Sequence, residues 1–504
     1  MELELNRTHL AGYNTVLDTT VFQEETLETI VPDACPDILR LVDTEVKIIL
    51  KSKEAMDGRV SVSGTARLSV LYLPDGEGGP CSLEVTIPFT ASAEGRQVRP
   101  DCMLTVCPRV QSADARAVNP RKVLVRVEAA LWVRAFAPED SMLCTGVTAP
   151  PGAVEQLRES RQQCCVAAVQ EKPFSFSDDL TIPAGRPEAE KILCSRVSLT
   201  CHGAKIIGNK LIFKGEAVVQ LLYRAAEGLG TADFTLPFSQ IAEVSGVGEE
   251  AVCTIEMALA GAEFTLGGDG RTVSVALSLL AQCVVREERT VELLTDAYST
   301  CCTLTAEQHP YHYHTLVGEG VGRQNVRELI ETGVAVKSVL DAYALVGQTK
   351  QSREGAQLRL SAEVSVTALC IAEDESLCAL SRRTEVSCLL DAAQDCRCSF
   401  TCVCGNLTAT PTADGVEVRF PVDFPYLCLA AGQLTVVHEL KVDESAPCDP
   451  SSQPSIVLRM LGQGERLWDV AKRYGTTTED IIIANELADE QPPCGTLLLI
   501  PKKR

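Results

Sequence analysis

The chain has 504 residues, which suits about three to four domains, and 45% of them are hydrophobic, enough for several buried cores. Its formal net charge of −22 disfavours nucleic acid and anionic membrane surfaces as partners, because both would repel it. The longest apolar run, 273–285, is too short to span a bilayer, and the acidic N-terminus lacks the apolar region of a signal peptide. We therefore expect a protein that stays in the cytoplasm and has no membrane insertion.

One β-rich unit recurs along the chain at a spacing of about 150 residues. Residues 59–73 (RVSVSGTARLSVLYL) and 210–224 (KLIFKGEAVVQLLYR) share a Gly that is followed eight positions later by Tyr. Residues 358–372 form a third copy, with Ser361 at the Gly position. Apolar residues alternate in these segments, which predicts strands that place one face on a core.

Each copy continues into further predicted strands. The first two copies reach an apolar-Pro-Phe element at 85–89 and 234–238, which the third copy lacks. A hairpin-like pair then closes each unit, because a turn sequence separates two apolar runs. The predicted turns are Asn119-Pro120, 267–270 and Ala413-Asp414.

Linkers are predicted at 141–161 and 301–322, since these segments carry Pro, Gly or His and few periodic apolar residues. The predicted fold class is mainly β, with three tandem β-sandwich-like repeats and a small α+β module at the end. The predicted domains are 1–150, 162–300, 312–446 and 454–502.

The cysteines, 23 in number, are scattered, and many lie in apolar strand-like runs, such as Cys283, Cys370 and Cys388. We expect reduced cysteines that act as small hydrophobic residues. Oxidative cross-linking in an assembled shell is the alternative.

The run CRCSFTCVC is the nearest approach to a metal motif. In an extended strand its four cysteines would line one face over about 27 Å, which is too long to surround one ion. We predict strand cysteines and no metal site, with zinc as the weaker alternative. The four residues are Cys396, Cys398, Cys402 and Cys404.

Half of the histidines, His309, His312 and His314, lie in the second predicted linker. Pro310 and the interleaved tyrosines indicate an exposed extended segment, and a metal or pH-sensing role is the alternative. The glycine run at 318–322 is predicted to be a loop, because it lacks the context of a phosphate-binding motif. The sequence shows no catalytic motif, so we expect no enzyme activity and no cofactor; a hydrolase with an unrecognised site is a remote alternative.

The last segment has a β-α-α-β order. A strand at 456–460 precedes a short helix with apolar residues at i, i+3 and i+4 from Leu467, and Gly475 ends that helix. A second helix begins behind Thr477, and a closing strand covers 497–500. This order, with LW-x-x-A-x-x-Y-G and a final G-x-x-L-x-I-P, resembles the LysM module.

The chain as a whole resembles the SPOCS-domain proteins of spore-forming Firmicutes, a class involved in spore coat morphogenesis. The resemblance is carried by three β units, a C-terminal LysM-like module and the opening PDACPDILR-x-V at 32–42. It implies a scaffold in the mother cell that binds the coat-basement ATPase, stage IV sporulation protein A. Other coat proteins are further implied partners.

The LysM resemblance also implies a ligand groove between the loop before the first helix and the loop after the second. The usual first loop is Gly-Asp-Thr-Leu, and Arg466 in place of Thr weakens the case for an N-acetyl sugar. Arg466 and a partly exposed Trp468 suit a protein interface; packing of Trp468 on the module's own core is the alternative. The implied groove residues are Gly464, Glu465, Arg466, Leu467, Trp468, Asn485, Leu487 and Gly495.

These patterns together predict a non-enzymatic adaptor that docks through its LysM module on the coat ATPase at the forespore surface. The alternative is a LysM protein that binds peptidoglycan or cortex glycan. The expected cytoplasmic location counts against that alternative, because a cytoplasmic module does not reach the wall.

Overall fold

The computed structural model describes residues 3–76, 78–226, 228–333, 335–392, 396–447 and 456–501. Strands dominate, and two short helices lie near the C-terminus, which confirms the predicted mainly β class. No helix in these ranges is long and apolar enough to cross a membrane.

The same strand order occurs three times before the C-terminal module, with the fifth strand of the third repeat divided into three short pieces that all pair with the last strand. The first repeat comprises β1 (Glu4–Ile30), β2 (Ile38–Met56), β3 (Arg59–Pro74), β4 (Cys81–Glu94), β5 (Met103–Asn119) and β6 (Lys122–Thr148). The second comprises β7 (Val154–Thr181), β8 (Lys191–Ile207), β9 (Lys210–Ala225), β10 (Gly228–Glu243), β11 (Val252–Leu266) and β12 (Thr272–Ser299). The third comprises β13 (Cys302–Glu331), β14 (Val336–Glu354), β15 (Gln357–Ala372), β16 (Leu377–Asp391), β17 (Cys396–Phe400), β18 (Val403–Cys404), β19 (Thr408–Thr412) and β20 (Gly415–Pro447).

In each repeat the first and last strands form a long antiparallel pair: β1 with β6, β7 with β12, and β13 with β20. Between them the chain forms a three-stranded meander, for example β2-β3-β4. The meander packs on the long pair, so that Val60 and Val62 share a core with Leu131 and Val133. Each repeat is therefore a two-layer β-sandwich, as predicted.

The predicted linkers are wrong over most of their length, since only 149–153 and residue 301 in them lie outside strands. Residues 141–148 continue β6 and 154–161 begin β7, while 302–322 lie entirely within β13. Pro310 is accommodated because β13 is at the edge of its sheet, where a missing N–H breaks no ladder bond. The glycine run at 318–322 is likewise strand and not loop, and Gly322 lets the Cys388 side chain of β16 approach closely. The three predicted hairpin turns are confirmed.

The repeated Gly and the Pro-Phe element belong to one packing device. Gly64 in β3 pairs with Phe89 in β4, and Gly215 in β9 pairs with Phe238 in β10. In both places the phenyl ring covers the glycine, where a Cβ atom would lie within 2.5 Å of a ring carbon. In the third copy the register places Ala362, and not the predicted Ser361, at the glycine position, and Ala362 pairs with Val386. The third copy therefore has neither the glycine nor the phenyl ring that covers it.

The three meanders meet at a common junction. Leu71, Leu222 and Leu369, which occupy equivalent places in the three repeats, belong to one buried cluster. Beside it, Arg196 of the second repeat is 2.8 Å from Glu45 of the first and 3.0 Å from Asp341 of the third. This buried ion network ties the three repeats to one another.

The network contains a carboxyl group that titrates near neutrality. Burial, and then the neighbouring charge of Glu45, raise the pKa of Asp43 to about 6, although Tyr343 donates a hydrogen bond to it. A carboxyl whose pKa is raised on folding stabilises the fold at low pH, and this contribution is lost as the pH rises through 6. The ionised Asp43 carboxylate therefore lowers the free energy of unfolding at pH 8.

We expect Asp43→Asn to be more stable than the native chain at pH 8, by roughly 2 kcal/mol, and to lose this advantage at pH 4.5. Asparagine keeps an oxygen that accepts from Tyr343, and it carries no charge. Urea unfolding at the two pH values measures the difference, with Asp33→Asn on the surface as the control. An advantage that does not change with pH would contradict the assignment.

Buried polar groups also join the first two repeats. The side-chain amide of Gln282 in β12 pairs with the backbone of Val106 in β5, accepting from its N–H at 2.7 Å and donating to its carbonyl at 2.8 Å. Arg134 in β6 faces Glu256 in β11 at 2.8 Å, and both side chains are buried. These contacts fix the angle between the two long strand pairs.

Candidate functional site

The C-terminal module consists of β21 (Ile456–Met460), α1 (Leu467–Tyr474), α2 (Thr478–Ala484) and β22 (Leu497–Pro501). The Thr477 side chain accepts from the Asp480 N–H at 3.0 Å and caps α2, as the sequence predicted. Gly475 ends α1 in the left-handed conformation, with φ of 64°. The predicted β-α-α-β order is confirmed.

Trp468 is not partly exposed, and that expectation is wrong. The side chain is 7% exposed and packs edge-on against Tyr298 of β12, with ring centroids 4.8 Å apart. Its Nε1–H donates to Asp296 of β12 at 2.8 Å. The indole thus holds the module against the second repeat, a contact between segments about 170 residues apart that the module's own sequence does not show.

The same surface of the module makes two more contacts with β12. Lys472 is 2.7 Å from Asp296, and the Tyr298 hydroxyl donates to the Thr476 carbonyl at 2.7 Å. Arg466 hydrogen-bonds Asp469, which raises the pKa of Arg466, and the charges of Asp469, Glu159 and Asp296 add to this effect. Arg466 therefore lies beside the acidic end of the long pair β7–β12.

Most of the other implied groove residues have structural partners. Asn485 donates to the carbonyls of Ile481 and Leu499 and accepts from the Leu499 N–H, so it fastens α2 to β22. Glu465 is paired with Arg459 at 2.7 Å, and Leu467 is buried in the module's core. Leu487 is packed at the edge of that core.

Gly464 and Gly495 are exposed at turns with positive φ, which leaves their backbone open to solvent. The Gly495 N–H donates to the Leu461 carbonyl at 2.9 Å, so the structure brings the last loop to the beginning of the first. These two loops and the exposed Arg466 side chain are accessible parts of the implied groove.

A second surface of the module was missed by the sequence reasoning. The outer face of the two-stranded β21–β22 sheet, which is opposite the helices, exposes large apolar side chains. Met460 pairs with Leu497 across the sheet, and Leu458 pairs with Leu499. The signal that could have revealed it is that IVLRM and LLLIP carry apolar residues at consecutive positions. Consecutive residues of a strand face opposite sides, and the helices cover one side alone. The exposed residues of this outer face are Ile456, Leu458, Met460 and Leu497.

The four cysteines of the CRCSFTCVC run lie in β17 and β18 or in the break between them. Cys398 and Cys402 are buried in the core of the third repeat, and Cys396 and Cys404 pack at its edge. Cys398 lies opposite Cys428 of β20, and burial raises the pKa of its thiol. Within the described ranges, no three His, Cys, Asp or Glu side chains are grouped as a metal site, and the cysteines there are free thiols.

The histidine cluster lies in β13, where each histidine pairs with a residue of β20. His309 stacks on His438, with ring centroids 4.6 Å apart. Burial and the charge of Arg397 lower the pKa of His314. His312 and His314 line a cavity between the repeats.

The fold thus defines a chain of three β-sandwich repeats followed by a small binding module. Models of two protein families match it. The SipL, SPOCS domain model matches residues 37–118 and 188–266, and the LysM domain model matches residues 462–501. No curated protein and no solved structure matches the chain.

Two segments of the chain match the SPOCS domain, and its last module is a LysM domain. The two SPOCS matches cover the meander and the strand that follows it, so the long pairs β1–β6 and β7–β12 lie largely outside the family model. The third repeat has the same strand order although its sequence is not matched. The domain combination marks a sporulation-related protein whose last domain is of a cell-wall-binding class.

Proposed function

We propose that the protein is a non-enzymatic adaptor of spore coat assembly that works in the mother-cell cytoplasm, at the forespore surface. Its LysM domain docks on the coat-basement ATPase, stage IV sporulation protein A, and the β repeats contact other coat proteins. The identity of the ATPase partner comes from the family resemblance. The adaptor role is supported by an exposed apolar surface of the LysM domain.

The single observation that carries this proposal is the apolar outer face of the two-stranded β21–β22 sheet. Ile456, Leu458 and Met460 are 62%, 63% and 64% exposed, and Leu497 extends the patch onto the second strand. A continuous apolar surface of this kind favours burial against another protein, because each large side chain gains about 1.5 to 3 kcal/mol when water is removed from it. A sugar offers little comparable apolar area.

The groove supports the same choice. Trp468, its largest side chain, is buried against the second repeat and is not free to contact a ligand, and Arg466 hydrogen-bonds Asp469 of its own helix. The glycan-binding alternative is favoured by the LysM match and by the exposed loops at Gly464 and Gly495. Those loops offer backbone groups that could hydrogen-bond a sugar. Glycan binding would therefore use the loops, and protein binding would use the outer face of β21–β22.

We expect Leu458→Glu to weaken binding of the full chain to purified stage IV sporulation protein A at least tenfold, because a charge would be buried in an apolar interface. Biolayer interferometry measures the affinity. Leu39→Glu is the matched control, since Leu39 is 66% exposed on β2 and far from the LysM domain in sequence.

Sedimentation with peptidoglycan sacculi is carried out on the same proteins. Retention on sacculi that Leu458→Glu leaves unchanged, without binding to the ATPase, would refute the adaptor function and favour a wall or cortex anchor. Equal loss of ATPase binding in Leu458→Glu and Leu39→Glu would refute the outer face as the docking surface.

A further inference from the structure

A cavity of about 780 Å³ opens where the long strands of the three repeats meet. In the described structure β1 and β7 share a single register pair, Tyr13 with Val166, and the strand edges separate beyond it. Strand β13 and its partner β20 close the third side. We call this space the central cavity; its wall includes Tyr13, Gln163, Cys164, Arg286, Tyr311 and His314.

The wall of the central cavity holds a buried cation that no carboxylate of the described residues contacts. Arg286 in β12 is 7% exposed, and its Nε–H has no hydrogen-bond acceptor among the described residues. Its Nη1 is 3.5 Å from the Thr254 hydroxyl, which is a weak contact, and no described carboxylate is within ion-pair distance. Removing a guanidinium from water without pairing it to an anion costs several kcal/mol of desolvation free energy.

The nearest charges do not supply the missing anion. Arg134 also lines the cavity, and it faces Glu256 at 2.8 Å, so this carboxylate already has a cation. Burial, and then the positive charge of Arg134, lower the pKa of Arg286 to about 10. Asp18 accepts from Trp132 at 2.7 Å and is paired with Arg397 at 3.3 Å. The buried cluster of Arg134, Arg286 and Glu256 therefore carries one net positive charge in a chain of net charge −22.

A second donor on the cavity wall is also unpartnered. Gln163 in β7 is 2% exposed, and its Oε1 accepts from the Tyr311 hydroxyl at 2.7 Å. Its Nε2 has no acceptor among the described residues. Buried donors without acceptors are rare in folded proteins, and two of them at one cavity indicate that a ligand supplies the acceptors.

We propose that the central cavity binds a small oxyanion, a carboxylate or a phosphate, that pairs with Arg286. A guanidinium binds the oxygens of either group through parallel N–H donors, and the buried surroundings strengthen the pairing. The tyrosines Tyr13, Tyr311 and Tyr313 and the histidines His312 and His314 also line the cavity, together with apolar residues and the carboxyl groups of Asp18 and Glu139. Because strands of all three repeats line the cavity, an anion bound there favours the assembled arrangement of the chain.

The test is isothermal titration calorimetry of the full chain with sodium phosphate and, separately, with sodium acetate, at constant ionic strength set by chloride. We expect one site per chain for at least one of the two anions, and their relative affinities distinguish phosphate from carboxylate. Arg286→Met should bind at least tenfold more weakly. Arg323→Met, which alters an arginine 78% exposed in its side chain, should bind as the native chain does.

Thermal unfolding without added oxyanion provides a second readout. Arg286→Met should be at least as stable as the native chain, because it removes an uncompensated buried charge and retains the apolar stem. A chain that binds neither anion, or Arg286→Met that binds as tightly as the native chain, would overturn the proposal. A large loss of stability in Arg286→Met, or failure to fold, would also overturn it, since Arg286 would then be compensated within the chain.

Discussion

Gly215→Ala is expected to lower the free energy of unfolding by at least about 3 kcal/mol, the upper part of the range for overpacked cores. The added Cβ atom would lie 2.2 Å from the Thr200 carbonyl oxygen and 2.5 Å from Cζ of Phe238. The phenyl ring can turn away, but the carbonyl belongs to the backbone of β8 and cannot. The strand pairing of β9 must therefore shift, and the urea midpoint of the full chain measures the loss.

Gly203→Ala is the matched control for this prediction. Gly203 lies in the neighbouring strand β8, and an added Cβ atom there would have no other atom within 4 Å. The control should change the urea midpoint little. Its added methyl group meets no other atom, and the reduced entropy of the unfolded chain contributes only a small stabilisation. Equal shifts of the urea midpoint in the two variants would contradict the prediction, because they would show that the Phe238 ring and the Thr200 carbonyl do not exclude a side chain at position 215.

The double variant Asp296→Ala/Tyr298→Ala is expected to release the LysM domain from the second repeat. It removes the acceptor of Trp468 and Lys472, the edge-on ring contact and the hydrogen bond to the Thr476 carbonyl. Together these contacts are worth on the order of 3 to 5 kcal/mol, and the substitutions leave every side chain of the LysM domain itself in place.

Tryptophan fluorescence measures this release. The chain has two tryptophans, so in a Trp132→Phe background the emission comes from Trp468 alone. We expect a shift of the emission maximum to longer wavelength as the indole meets water. Glu288→Ala, an exposed residue of the same strand, should leave the maximum unchanged. Emission that does not shift in the double variant would contradict the docking role of Trp468.

The release also bears on the partner of the LysM domain. Because the outer face at Leu458 is remote from the contacts of Trp468, the released domain should still bind the coat ATPase. Trp468→Ala is a poor test of the proposed function, since it removes a buried side chain of the domain core together with the contact to β12.

The sequence predicted the elements of the LysM domain well because the signals that begin and end each element are local. The cap at Thr477, the stop at Gly475 and the two strands follow from residues within a few positions of one another. The three repeats were also predictable, because alternation and the recurring Gly and Tyr survive in two copies. The linker predictions failed because a local signal was misleading there. Pro310 and the glycines at 318–322 are residue types typical of loops, but β13 accommodates them because it lies at the edge of its sheet.

What the sequence by itself determined is therefore the local content of the chain: strand-forming segments, their turns and the C-terminal βααβ module. The tertiary structure alone decided which distant strands pair, such as β1 with β6 across about 100 residues, because apolar alternation fixes the face of a strand and not its neighbour. It also decided that Trp468 is buried, that Leu458 is exposed and that Arg286 lies on a cavity wall with no described carboxylate in ion-pair contact. The burial of Trp468 and the place of Arg286 depend on side chains that meet across distant segments, and such meetings leave no periodic signal in the sequence.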